Sequence, residues 1–195
     1  MLQKGIREYL LCGSCENKLS KWEGYASQIF NGGTELMAEG HGDLVIVNGI
    51  DYKSFKLFQL SILWRAGVSS LTLFEAVKLG SYEETIRQML LNEDAGSEDA
   101  FGCTVFCLLN SDHQVVTDVI TPPIKDRVSN QICYRFIFNG FMWVYFVSKN
   151  KVKGISDGFL QKCGRFIFMY KNIEDLKSIR NFATEIYRQN KLGKN

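Results

Sequence analysis

The sequence predicts an α+β protein: a helical N-terminal half, then a mainly antiparallel sheet of about four or five strands with the last helix packed on it. Three observations carry this. Before residue 92, apolar residues recur at helical spacing in successive segments. Residues 92–100, NEDAGSEDA, are acidic, polar and short of large apolar side chains, which marks an exposed loop and a sub-boundary. Beyond it, short apolar runs alternate with turn signals, of which Asn139-Gly140 is the sharpest.

The chain has 195 residues, 46% of them hydrophobic and only two of them proline. It can bury a core in one domain, or one domain plus a small appendage, and a disordered chain is excluded. The net charge is +2, from 23 basic and 21 acidic residues. That balance gives no electrostatic case for a dedicated nucleic-acid binder and leaves room for a local patch. Residues 2–11 are too charged for a secretory leader, and no apolar run reaches the ~18 residues that span a bilayer. Six cysteines in such a chain point to the reducing cytoplasm.

The first helix begins directly after Cys12 and Cys15. Leu19, Trp22, Ala26, Ile29 and Phe30 fall on one side of it and Lys18, Lys21, Glu23 and Gln28 on the other, and Gly32-Gly33 ends it. Residues 43–48 read as a short strand, with Asn48-Gly49 as a turn. Asp51 caps a helix over 52–66, with Phe55, Phe58, Ile62 and Leu63 on its core face and Gly67 as its stop. A helix this apolar is expected to be central. Residues 71–76 continue as a short helix. Ser81 and Glu84 have capping-box spacing for a helix over 82–91. Strands follow at 104–109 and 115–120, the second halted by Pro122-Pro123. Residues 132–138 and 141–147 form a hairpin about Asn139-Gly140. Both of its strands are apolar at nearly every position, so the sheet is covered on both faces or one face is an interface. A strand at 165–170 and a helix at 174–190, capped by Asn172, complete the reading, with Leu176, Ile179, Ala183 and Ile186 inward.

The chemistry concentrates at the start. A thiol pair two residues apart chelates one ion when the intervening turn aims both sulfurs the same way, and Gly13-Ser14 suits that turn. Tetrahedral zinc takes four ligands, so Cys12 and Cys15 are half a site. A redox reading of the pair is weaker, because little precedes it that could form the buried strand of a βαβ unit. In sequence, residues 4–16, KGIREYLLCGSCE, followed by NKLSKWEGYAS, resemble the second half of the zinc module in bacterial HNH-endonuclease-like, treble-clef proteins. That family has an earlier Cys-x-x-Cys pair and a Ser-His-Ile-Ile-Pro-like segment with the candidate catalytic histidine, neither of which occurs in this chain. The resemblance is specific over about the first 30 residues and continues loosely through SILWRAGVSS. It implies that Cys12 and Cys15 are zinc ligands in a half knuckle over 1–33, joined to an α+β body over 34–195. No nuclease residue carries over. The implied role is a non-catalytic C-terminal body, inactive alone, that works with DNA or another protein. The alternative is a protein–protein interaction module whose apolar sheet dimerises or docks a partner.

Other candidates divide between surface and core. Arg7, Lys18, Lys21, Lys53 and Lys56, with Arg65, could form a nucleic-acid face near the thiols; an ordinary solvated helix face explains them as well. Cys103, Cys107, Cys133 and Cys163 read as core or near-core thiols. His41 and His113 sit in polar, turn-like stretches and read as solvated loop residues. No phosphate loop, zinc-protease helix or nucleophile elbow occurs.

Overall fold

A computed structural model describes residues 8–176. In chain order these form α1 (Gly13–Phe30), β1 (Met37–His41), β2 (Leu44–Asn48), α2 (Tyr52–Val68), α3 (Tyr82–Leu91), β3 (Cys103–Leu109), β4 (Thr121–Val128), β5 (Gln131–Phe138), β6 (Phe141–Phe146) and β7 (Phe166–Asn172). The strands make one sheet of order β1-β2-β7-β3-β6-β5-β4. Every pairing is antiparallel except β3 with β7. The mixed α+β class therefore holds. The sheet is larger than expected because the N-terminal half contributes the β1–β2 hairpin, which joins the rest through β7.

β6 shows how the sheet is filled. Trp143 and Tyr145 face a core shared with Leu19 and Trp22 of α1, Phe55 and Leu60 of α2 and Ile86 of α3. Met142, Val144 and Phe146 face a second core with Val152, Phe159 and Leu176. Alternation across the pleat puts both sets in one strand, and both are buried, so the run reads as continuously apolar. The hairpin turn forms as expected: Asn139 and Gly140 both have positive φ (51° and 80°), and Phe138 pairs with Phe141.

α2 is the central helix. Phe55, Leu57, Leu60 and Leu63 lose all contact with solvent, because α1, α3 and the sheet surround it. Its N-cap is Asp51, whose carboxylate accepts the Ser54 N–H at 2.8 Å. The Tyr25 hydroxyl of α1 accepts the Asp51 N–H at 2.6 Å and ties the two helices at that corner. Gly67 does not stop α2, which runs on to Val68. A Cβ at Gly67 would collide with the Leu79 side chain, so the glycine serves close packing.

Three further expectations are corrected. Ser81 makes no side-chain cap bond; Glu84 turns instead to Arg87, at 2.6 and 2.7 Å, and to Gln88 at 2.8 Å. Residues 71–76 hold only a 3-10 turn, Thr72–Phe74. Val115 makes one isolated bridge to Leu109, and the strand lies later, over Thr121–Val128. Its second and third residues are the two prolines, which are tolerated because β4 is an edge strand, where a missing N–H breaks no ladder on the open side; the register also shifts between Thr121 and Ile124. Leu19, Trp22 and Ala26 of α1 lie in the same core as α2 and the sheet. Asn172 caps only a 3-10 turn, Ile173–Asp175, accepting the Glu174 N–H at 2.8 Å, and Leu176 is extended, so the expected helix does not start at Glu174. The rest of the helix expected over 174–190 lies outside the described residues.

Candidate functional site

The thiol pair lies at the start of α1. Cys12 is the N-cap, in extended conformation (φ −79°, ψ 162°), and its carbonyl accepts the Glu16 N–H at 3.0 Å. Gly13 and Ser14, expected as a turn between the thiols, are the first helical residues, and Cys15 follows within the first turn. The pair thus sits on a helix end rather than on a separate knuckle loop. Cys12 is exposed and Cys15 half-buried.

No side chain caps this helix end. Its unpaired N–H groups and the positive end of its dipole favour a negative charge there. The Ser14 hydroxyl lies 3.1 Å from the Cys12 sulfur. That hydrogen bond, with bonds from the backbone and thiol of Cys15, lowers the Cys12 thiol from the ordinary cysteine range to about 7. Cys15 moves up, because its thiol is hydrogen-bonded to Cys12 and because it is partly desolvated. The arrangement is one ready thiolate beside a second thiol that needs a cation before it ionises. Two thiols fit the soft half of a zinc site. Among the described residues, no group of three or more His, Cys, Asp or Glu stands close enough to hold a metal.

Of the basic residues expected beside the thiols, Lys18 lines one small cavity with Cys12 and Cys15. Lys18 donates to the Leu91 carbonyl at 2.9 Å and stands 3.7 Å from Glu93. Lys53 approaches the same carboxylate at 3.6 Å, so the fold brings these two lysines together around an acid. Lys21 is exposed on α1. Lys56 is no surface residue: it is 1% exposed and donates to the carbonyls of Phe101 at 3.2 Å and Glu98 at 3.4 Å. Burial lowers its ammonium to about 8. Arg65 pairs with Glu23 at 2.6 Å. Arg7 lies outside the described residues.

The remaining candidates are structural. Cys103, Cys107 and Cys133 are buried, as expected, whereas Cys163 is exposed. Burial raises the first three thiols. His41 ends β1 and lies 3.8 Å from Glu39; His113 sits in a turn with φ 59°.

Two features were not visible in the sequence. A groove of about 510 Å³ opens beside the thiol end, walled by Phe58 and Ile62 of α2, Leu73 and Phe74 of the following turn, and Phe136 and Phe138 of β5. Glu8, at its rim, accepts from the Ser69 hydroxyl at 2.6 Å and from the backbone and hydroxyl of Ser70 at 2.9 and 2.5 Å. A second groove of about 500 Å³ lies on the other face of the sheet, against Phe106, Val144, Ile167 and Met169. No described helix is long and apolar enough to cross a membrane. Comparison with protein-family models, curated proteins and solved structures returns no match for this chain.

Proposed function

We infer that this chain is the non-catalytic body of an HNH-like zinc protein, with Cys12 and Cys15 giving two of the four ligands of a structural zinc. The other two come from beyond the described residues or from another chain. One observation carries the reading: two thiols, one exposed and one half-buried, stand together at the uncapped end of α1, and the Ser14 hydroxyl 3.1 Å from the Cys12 sulfur helps to bring the first near neutral ionisation. Bound there, zinc would supply a cross-link between α1 and the segment bearing the missing ligands, and no reaction step. The fold's part is to hold the pair: Leu19, Trp22 and Ala26 anchor α1 in the main core, so the thiols sit on a fixed helix end. The body then serves a nucleic-acid-related or assembly role and is inactive alone.

The test is zinc content on resaturated protein, with mass by light scattering in the same run. One zinc per chain in a monomer means that two further ligands lie in the same chain. Half a zinc per chain in a dimer places the metal between two copies. No zinc in a folded monomer refutes the half-site.

A second reading rests on the apolar groove against Phe106, Val144, Ile167 and Met169: a protein–protein module that dimerises through its sheet. A metal-independent dimer lost on Met169→Lys supports it, and a monomer at every concentration removes it.

A further inference from the structure

The groove walled by α2, β5 and the turn after α2 has an unusual balance of charge. Its depth is aromatic and aliphatic, from Phe58, Ile62, Phe74 and Phe136. Its charged lining residues are Glu8, Glu16, Glu23 and Arg65, three carboxylates against one guanidinium. The guanidinium is already neutralised by Glu23 at 2.6 Å. Glu8 is fixed at the rim by its bonds from Ser69 and Ser70, which hold its carboxyl below the usual carboxylate range and keep it charged. Glu16 has no ion-pair partner among the described residues. The volume, about 510 Å³, is within the range of sites that take several side chains of a ligand.

The geometry points to a docking site for a basic, apolar polypeptide segment of a partner. Leucine- or phenylalanine-like side chains fill the aromatic floor, and lysine or arginine on the same segment meets Glu16 and Glu8 at the rim. The carboxylates repel a phosphate backbone, which removes nucleic acid as the occupant. They oppose a second copy of the same groove equally, because a two-fold contact would set like charges against each other. This assignment goes beyond the zinc reading and does not depend on it: the groove needs no metal and the thiols line none of it.

The experiment is fluorescence anisotropy of the full chain with a short fluorescein-labelled peptide of leucine and lysine, and with the same peptide carrying glutamate for lysine. The lysine peptide is expected to bind and the glutamate peptide not to. Glu16→Lys, a surface change that spares the core, is expected to weaken binding roughly fivefold or more. Leu73→Ser is expected to weaken it at high salt as well, where the charge contribution is screened. Glu39→Lys on β1, away from the groove, is expected to leave it unchanged. Equal binding of both peptides, or no response to Glu16→Lys and Leu73→Ser, overturns the assignment. So does binding of neither peptide, the outcome if residues 1–7 or a second copy already fills the groove.

Discussion

Lys56→Met tests the energetics of the core more sharply than any surface change. The ammonium is 1% exposed, and its two acceptors are the carbonyls of Phe101 and Glu98. Burial holds its pKa at about 8, down from 10.5. At roughly 1.4 kcal/mol per pKa unit, the charged form costs the fold on the order of 3 kcal/mol at neutral pH. Between the two pKa values the unfolded chain binds the proton and the folded one does not, so this penalty is relieved as pH rises. About 2 kcal/mol of it is recovered between about pH 7 and about pH 9.5. The thiol of Cys103 and the hydroxyls of Tyr52 and Tyr145 are pushed the other way by burial. They stay neutral in the fold while the unfolded chain ionises, so their contribution is lost above their ordinary pKa values. Absolute stability therefore mixes opposing slopes, whereas the difference between wild type and Lys56→Met isolates the lysine. Urea unfolding across that pH range is the assay. The expected result is a gap between the two proteins that moves in favour of wild type by about 2 kcal/mol. Parallel stability curves would falsify a buried, titrating Lys56.

Three further outcomes are expected. Leu60→Ala, at a position with no solvent contact at the centre of α2, should destabilise the fold by about 2–5 kcal/mol in urea unfolding; a loss under about 1 kcal/mol would mean that α2 is peripheral. Gly67→Ala should destabilise despite the better helix propensity of alanine, because the methyl group meets Leu79; a gain of about 1 kcal/mol would show that the two are not packed. In the metal-free protein, Cys12 should react with iodoacetamide half-maximally near about pH 7 and well ahead of Cys15, read by peptide mass spectrometry; similar rates at both thiols would contradict the hydrogen-bonding at the start of α1.

Elements with a strong period or turn were legible in the sequence. α2 was legible because its apolar residues cover more than one face, and the β5–β6 hairpin because Asn139-Gly140 admits the positive φ that its turn requires. β1 was not: its five residues, Met37–His41, are all exposed and show no alternation, and pairing with β2 alone makes them a strand. β4 was misplaced because two prolines read as a stop, and only its position at the sheet edge makes them tolerable. Lys56 read as solvated helix surface, since no local pattern reveals that the carbonyls of residues 98 and 101 close over it. The thiol pair was visible from spacing alone, though its place at the N-cap of α1 was not. The acidic groove was illegible because its walls come from five separate stretches of chain.

The position of β7 fixes the order in which this molecule can be completed. It lies between β2 and β3 and pairs with both, Leu44 with Met169 and Val105 with Phe168. Until it is made, a growing chain holds two fragments of sheet, the β1–β2 hairpin and the β3–β6–β5–β4 block, each with an unsatisfied edge. Pairings of such long range form slowly, because loop closure precedes any gain in contacts. Newly synthesised chains therefore wait on one late strand with two strand edges open to the wrong partner. Weakening Phe166–Asn172 would leave both of those edges unpaired at once.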